Sequence, residues 1–261
     1  MIQIEFADKA VKILKGDKSV IGLAVAGSWL TNEIDEFSDL DLILVTTEKI
    51  SGDKTKMLAY AKRLGKLLTG FTGEHVGELR VLICLYDNPL LHVDIKFLTL
   101  EEFHTRIEIP LILLDTAGQL KNALEQSKEK FPYPDYQWIE DRFWVWVHYM
   151  LLKIGRGEYV EAFDCFSMLR MLIFGPLLHI KNGNMPRGVR KVEAQLAEED
   201  FKELKTTIPV YEKQSLIDCL QNSVALYRKL RVALFSENIV LQKETEQKVM
   251  LYFDEIKACK K

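Results

Sequence analysis

The alternation of hydrophobic and polar positions changes character near residue 100. Before it, short apolar runs alternate with turns. Val20-Ile21-Gly22-Leu23-Ala24-Val25-Ala26 ends at Gly27-Ser28 and reads as a buried strand entering a turn. Asp41-Leu42-Ile43-Leu44-Val45-Thr46 reads as a second strand. Met57, Leu58, Ala61, Leu64 and Leu68 then recur at helical spacing, with Lys and Arg on the opposite face. Leu79 to Tyr86 and Leu91 to Leu98 read as strands joined by the turn residues Asp87-Asn88-Pro89. A first helix is expected near Phe6 to Leu14.

Beyond Leu100 the pattern is almost wholly helical. Helices are expected over Leu111 to Leu124, Tyr136 to Ile154, Glu158 to Ile180, Val192 to Leu204, Ser215 to Phe235 and Lys243 to Cys259. Pro176 should bend or end the third of these. Asp135, after Phe131-Pro132-Tyr133-Pro134, is placed to cap the second, and Gly155-Arg156-Gly157 to close it. The expected class is α+β. A small domain over residues 1–100, with a mixed sheet and flanking helices, precedes an all-helical domain over residues 101–261, the boundary falling near 99–110. The active site is expected in a cleft covered by the helical domain.

At 261 residues with a formal net charge of −3, the chain offers no global positive field for nucleic acid or an anionic membrane. The four cysteines (Cys84, Cys165, Cys219 and Cys259) are scattered and form neither a C-x-x-C pair nor a zinc-like spacing. They read as small core hydrophobes or idle thiols. The first residues lack a signal-peptide pattern, and Met171 to Ile180 is too short to span a bilayer. A reduced cytoplasmic compartment is expected, with neither long nucleic acid nor membrane as partner; nothing in the pattern specifies an oligomeric state.

The chemistry concentrates between Ala26 and Leu42. Gly27 lets the backbone approach a ligand closely, and Ser28 offers a hydroxyl and an amide to a phosphate, more so if a helix starts there. Asp39-Leu40-Asp41 opens the next strand, where alternation sends both carboxylates to one side. Facing carboxylates repel unless a cation lies between them, and Mg²⁺ prefers one or two carboxylates plus phosphate oxygens. Asp94, in Leu91-His92-Val93-Asp94-Ile95-Lys96-Phe97, is an acid in an apolar strand, expected at a site or in a pair with Lys96 or Arg80. Three carboxylates from neighbouring strands could hold two Mg²⁺ ions about 4 Å apart.

Gly27-Ser28, Ser38-Asp39-Leu40-Asp41 and Val93-Asp94-Ile95 together resemble the signature of the polymerase-β-like nucleotidyltransferase superfamily. A small catalytic domain followed by a long helical one is similar to the antibiotic nucleotidyltransferases, notably the aminoglycoside adenylyltransferases. Trp29 and Asn32-Glu33-Ile34 depart from the small residues common in relatives. The resemblance implies transfer of a nucleoside monophosphate, AMP from ATP first among donors, to a hydroxyl of a small acceptor, with pyrophosphate released. An aminoglycoside-type antibiotic is the leading acceptor, which would make the role antibiotic resistance. Asp39 and Asp41 would hold the metal on the triphosphate, Ser28 would contact its tail, and Asp94 would complete a second metal site or accept the acceptor's proton. Relatives commonly supply a Lys from the helical domain, which makes Lys153 the candidate phosphate ligand and Arg142 the next.

That helical candidate sits in a mixed stripe. Ile139, Phe143, Val147, Met150 and Ile154 form an apolar face; Trp138, Arg142, Trp146, Tyr149 and Lys153 form a neighbouring arc of cations and aromatics. The arc suits a ligand wall, although such mixed stripes are more often snorkelling side chains at a domain boundary. His92 reads as structural or as an acceptor contact, Glu74 and Glu78 as weak base candidates, and Glu140, Asp141 and Glu198-Glu199-Asp200 as solvated faces. Two other activities fit the same motif: a protein-AMPylating enzyme of antitoxin type, and a non-catalytic nucleotide sensor.

Overall fold

The computed structural model describes residues 1–31 and 33–258; Asn32 and Cys259 lie outside the described residues. The chain divides into two compact units, Met1–Pro132 and Tyr133–Lys261.

The first unit is a mixed six-stranded sheet with helices against it. Its elements run α1 (Ile2–Leu14), β1 (Val20–Val25), a 3₁₀ turn (Gly27–Thr31), β2 (Leu40–Thr46), α2 (Lys54–Leu64), β3 (Lys66–Gly73), β4 (Glu78–Asp87), β5 (Leu91–Thr99), α3 (Leu100–Phe103), β6 (Leu111–Asp115) and α4 (Gln119–Gln126). The strand order is β3-β4-β5-β2-β1-β6. β2 and β5 pair in parallel and every other neighbouring pair is antiparallel. Alternation decides the two faces. Leu40, Leu42 and Leu44 of β2 and Val93, Ile95 and Phe97 of β5 join Ala7, Ala10 and Leu14 of α1 and Met57, Ala61 and Leu64 of α2 in the larger core. Val45 and Leu98 turn to the other face and meet Phe103, Leu120 and Ala123 in a smaller one.

Two expectations change here. Residue 68 was expected to continue a helix, but α2 ends at Leu64, and Gly65 turns the chain into the edge strand β3. β3 buries little of itself, so it carries a weak apolar period. Leu111 to Leu124 is not one helix. Its first five residues are β6, paired antiparallel with β1, and Gly118 at φ 72° starts α4. The run Leu-Ile-Leu-Leu carries no period that separates strand from helix. Because β6 completes the sheet, the first unit extends past residue 100 to Pro132.

The second unit is helical: α5 (Tyr136–Arg156), α6 (Tyr159–Leu169), a π turn (Arg170–Phe174), α7 (Gly175–Lys181), α8 (Val192–Gln195), α9 (Glu198–Lys205), α10 (Lys213–Leu234) and α11 (Lys243–Ala258). α5 packs on α6, α10 and α11 around a continuous core. Asp135 caps α5 through the amides of Gln137 and Trp138, and Gly157 at φ 78° closes it, as the sequence leads one to expect. Pro176 does not end its helix. The wider π turn just before it absorbs the missing donor, so helical structure runs from Tyr159 to Lys181. The helix thus reaches 23 residues, against the ten from Met171 to Ile180, and is long and apolar enough to cross a membrane by length and composition alone, yet half of its most apolar window is buried within the unit. Val192 to Leu204 splits in two at Leu196 and Ala197.

Two acids expected in solvent are inside. Glu140 is fully buried and accepts hydrogen bonds from Tyr227 Oη at 2.5 Å, the Gln242 amide at 2.9 Å, Trp144 Nε1 at 3.4 Å and Arg231 Nη1 at 3.4 Å. Asp200, 5% exposed, is paired with Lys181 and Asn182. In both cases partners distant in sequence satisfy the carboxylate, which no local pattern reveals. Cys84 and Cys219 are buried, and burial pushes the Cys84 thiol up to about 12.

Candidate active site

Strand register gathers the motif residues of the first unit. Asp41 of β2 is the parallel partner of Asp94 of β5, and strands lie about 4.8 Å apart. The two carboxylates therefore leave neighbouring backbone positions on the same face. Asp39, one residue ahead of β2, shares the parity of Asp41, with Leu40 between them turned into the core. On the other side the Ala26 amide donates to Asp41 O at 3.0 Å, so the end of β1 brings Gly27 alongside Asp41.

Gly27 stands at φ 68° and opens the five-residue 3₁₀ turn. A side chain there would put Cβ 2.1 Å from Asp41 Oδ2, so the absence of one is what admits the Asp41 carboxylate. Ser28 follows in the turn, its carbonyl accepting from Thr31 Oγ1 at 3.3 Å and from the Glu33 amide at 3.2 Å. The turn is too short to add the dipole of a full helix, and any anion contact here belongs to individual amides and the Ser28 hydroxyl.

Two residues outside the motif hold this arrangement. Gln3, on the buried face of α1 and 1% exposed, donates through Nε2 to Asp35 O at 2.9 Å and Ser38 O at 2.8 Å. It pins the loop that delivers Asp39. The visible signal is a polar residue on the Ala7, Ala10 and Leu14 face. Glu108, in the loop before β6, accepts the Gly27 amide through Oε1 at 3.0 Å. Only the oddity of an acid between Ile107 and Ile109 marks it in the sequence.

The other acids and bases sort themselves out. Asp94 is hydrogen-bonded to His92 Nε2 at 2.9 Å, and Asp39 and His92 line a cavity of about 340 Å³ with Ile2, Phe37, Ser38 and Leu90. Lys96 and Arg80, the possible structural partners of Asp94, both pair with Glu78, at 3.0 and 2.6 Å. The Arg80 hydrogen bond, followed by that from Lys96, pulls the Glu78 carboxyl down to about 2, which makes it a poor proton acceptor. Glu74 is hydrogen-bonded by Thr72, which lowers its pKa.

In the helical unit, Arg142 stacks over Trp138 at 4.3 Å, and Trp138 meets Trp146 edge to face at 5.6 Å. Lys153 Nζ pairs with Glu158 at 2.7 Å and Glu161 at 2.9 Å and lies 4.9 Å from the Tyr149 ring centroid. The carboxylates raise its pKa and keep it charged. A phosphate at Lys153 would have to compete with both. A shallow depression of about 440 Å³ between α10 and α11 contains none of the motif residues.

Among the described residues no group of three or more His, Cys, Asp and Glu side chains is gathered so as to hold a metal ion. The three aspartates are thus not a ready-made cage. Mg²⁺ does not need one, since it takes one or two carboxylates and completes its shell with water and phosphate oxygens. The hard-oxygen pair Asp41 and Asp94, register partners on one face of the sheet, fits such an ion.

No protein-family model matches the chain, and no curated protein matches it. Solved structures similar to it include an aminoglycoside 6-adenyltransferase from Bacillus subtilis, 17% identical, with 99% of this chain and 98% of that one covered at a TM-score of 0.41. A nucleotidyltransferase-like protein from Exiguobacterium sibiricum is 11% identical, covering 98% and 89% at 0.37. A spectinomycin adenyltransferase from Enterococcus faecialis, solved with ATP and spectinomycin, is 12% identical, covering 97% and 99% at 0.31.

Proposed function

We propose that this protein is a Mg²⁺-dependent nucleotidyltransferase that moves a nucleoside monophosphate, with ATP the expected donor, to a hydroxyl of a small acceptor and releases pyrophosphate. The observation that carries the reading is the row formed by Gly27, Asp41 and Asp94: a side-chain-free, positive-φ residue beside two carboxylates in parallel register. A structural acid needs no such neighbour. The motif's resemblance to the nucleotidyltransferases, stated above, makes an aminoglycoside-type molecule the first acceptor to try.

Asp39 and Asp41 would hold the ion that carries the triphosphate, and Asp94 with Asp41 a second one. Bound there, Mg²⁺ supplies neutralisation of the triphosphate charge and activation of the attacking oxygen. The chain's own residues do the positioning. The amides and hydroxyl of Gly27 and Ser28 orient the phosphate tail, and the Gln3-pinned loop fixes Asp39. His92 orients Asp94, whose carboxylate takes the acceptor's proton as the oxygen attacks. Lys153 and Arg142, the phosphate ligands that the sequence offers, are engaged within their own unit, with Glu158 and Glu161 and over Trp138.

The test is pyrophosphate release from ATP and Mg²⁺ across a panel of aminoglycosides and other polyhydroxylated acceptors. Release with at least one acceptor, lost by a hundredfold or more in Asp94→Asn, is the expected result. ATP binding with no release from any acceptor, and no labelled partner protein, would instead identify a sensor.

A further inference from the structure

On β3 and β4 the sheet is apolar on both faces. Leu82, Cys84 and Tyr86 of β4 enter the larger core, as alternation requires. Val81, Ile83 and Leu85 between them face the other way and belong, among the described residues, to neither core of the unit. They are half-buried, where a sheet face left to water would carry polar residues. β3 adds Phe71, 42% exposed, whose ring meets that of His75 at 5.8 Å.

Register ties this patch to the candidate site. Asp41 pairs with Asp94, Asp94 with Ile83, and Ile83 with Phe71, so the four side chains form one row on one face across β2, β5, β4 and β3. Beside it, His92 pairs with Leu85 and Leu85 with Thr69. The β3 pairing is unbroken from Thr69 to Thr72, so neither of its bulges interrupts the rows. Gly27 stands beside Asp41 at the opposite end. At about 4.8 Å per strand, Ile83 lies about 5 Å and Phe71 about 10 Å along the sheet from Asp94, on the side away from Gly27.

We propose that Ile83, Leu85 and Phe71 form the acceptor subsite of the transfer reaction, and that it takes a hydroxylated small molecule with an apolar ring face about 5–10 Å from the reacting hydroxyl. The inference rests on the nucleotidyl-transfer reading. That reading puts the phosphate tail at Gly27 and Ser28 and the attacking hydroxyl at Asp94. The donor therefore occupies one end of the row, and the body of the acceptor extends over the other. Two aliphatic side chains and a partly exposed ring offer neither charge nor hydrogen bond to a polar body. They do offer contact area to the C–H face of a sugar or to an aryl group, with Asp94 and His92 at the edge to fix a hydroxyl. The patch is continuous with the carboxylates, which is what assigns it to the acceptor.

The experiment uses phenyl β-glucoside and methyl β-glucoside, which share their sugar hydroxyls and differ in one ring. Their binding to wild type, Phe71→Ala and Ile83→Thr is measured by saturation-transfer NMR titration, and Mg²⁺-ATP binding to the same proteins by calorimetry. Ile83→Thr keeps the β-branch and Phe71 lies at the sheet edge; melting curves by circular dichroism check that both variants fold. Wild type should prefer the phenyl glucoside about tenfold or more, the worth of an apolar group in a fitting pocket. Each variant should lose that preference and still bind Mg²⁺-ATP. Equal or undetectable binding of the two glucosides to wild type, or a preference that both folded variants keep, would overturn the subsite, and Mg²⁺-ATP binding by the same wild type would leave the nucleotide reading standing. A folded wild type that binds no Mg²⁺-ATP would overturn both.

Discussion

At the scale of single residues, the account turns on Gly27. Alanine there must adopt φ near 68° and push aside the Asp41 carboxylate from a 2.1 Å approach. The backbone strain alone is about 1–2 kcal/mol. Gly27→Ala should lower the melting temperature by several degrees and weaken Mg²⁺-ATP binding at least tenfold. Binding at wild-type strength in a folded variant would show that Gly27 is only a turn residue. Glu78 gives a pH prediction. Its carboxyl is held near 2 against an ordinary 4.5, chiefly by Arg80 and then Lys96. A depressed acid contributes stability in full above its unfolded value and loses it as pH falls toward the folded one. The loss therefore lies between about 4.5 and about 2. Partial exposure screens it to about 1 kcal/mol. Urea unfolding of wild type between pH 6 and pH 3 should show that extra loss, and Glu78→Gln should lack it; parallel curves would contradict the pairing. The Gly-Ser turn and the Asp-x-Asp parity are local facts and are legible in the sequence. Glu108 and Gln3 act across 81 and 32 or more residues, and no local spacing announces them.

At the scale of elements, β6 was the hardest to read. Leu111-Ile112-Leu113-Leu114 is compatible with helix or strand, and only its pairing with β1 decides. The long amphipathic helices and the two central strands were readable because their periods are strong and their caps present. That assignment can be tested at Gly22, where a Cβ would lie 2.4 Å from Leu114 O and 2.5 Å from Leu120 Cδ1. Gly22→Ala should cost about 1–3 kcal/mol by chemical denaturation, as overpacking does. A neutral effect would mean that β6 and α4 do not close over β1.

At the scale of the whole molecule, each unit has its own core, and of the second unit's two inside acids, Asp200 and Glu140, the more deeply buried is Glu140. Residues from α5, α10 and the segment before α11 converge on it. Glu140→Ala leaves Tyr227 Oη and the Gln242 backbone N–H without an acceptor in the interior, while Arg231 keeps Glu246 at 2.8 Å, and should cost about 2–4 kcal/mol, seen as earlier unfolding in urea. A loss below about 1 kcal/mol would show the network to be dispensable. Periodicity pointed to a solvated Glu140 because its partners lie 87 or more residues ahead, apart from Trp144 four residues away. The sequence pattern also set a boundary near residue 100, since strand β6 looked helical.

The measurement that bears most directly on the central claim is calorimetric titration of Mg²⁺-ATP into wild type, Asp39→Asn and Asp41→Asn, with GTP, CTP and UTP alongside. The account predicts saturable binding that requires Mg²⁺ and is lost in both folded variants. Binding by Asp41→Asn at wild-type strength, or none by the folded wild type, would contradict it.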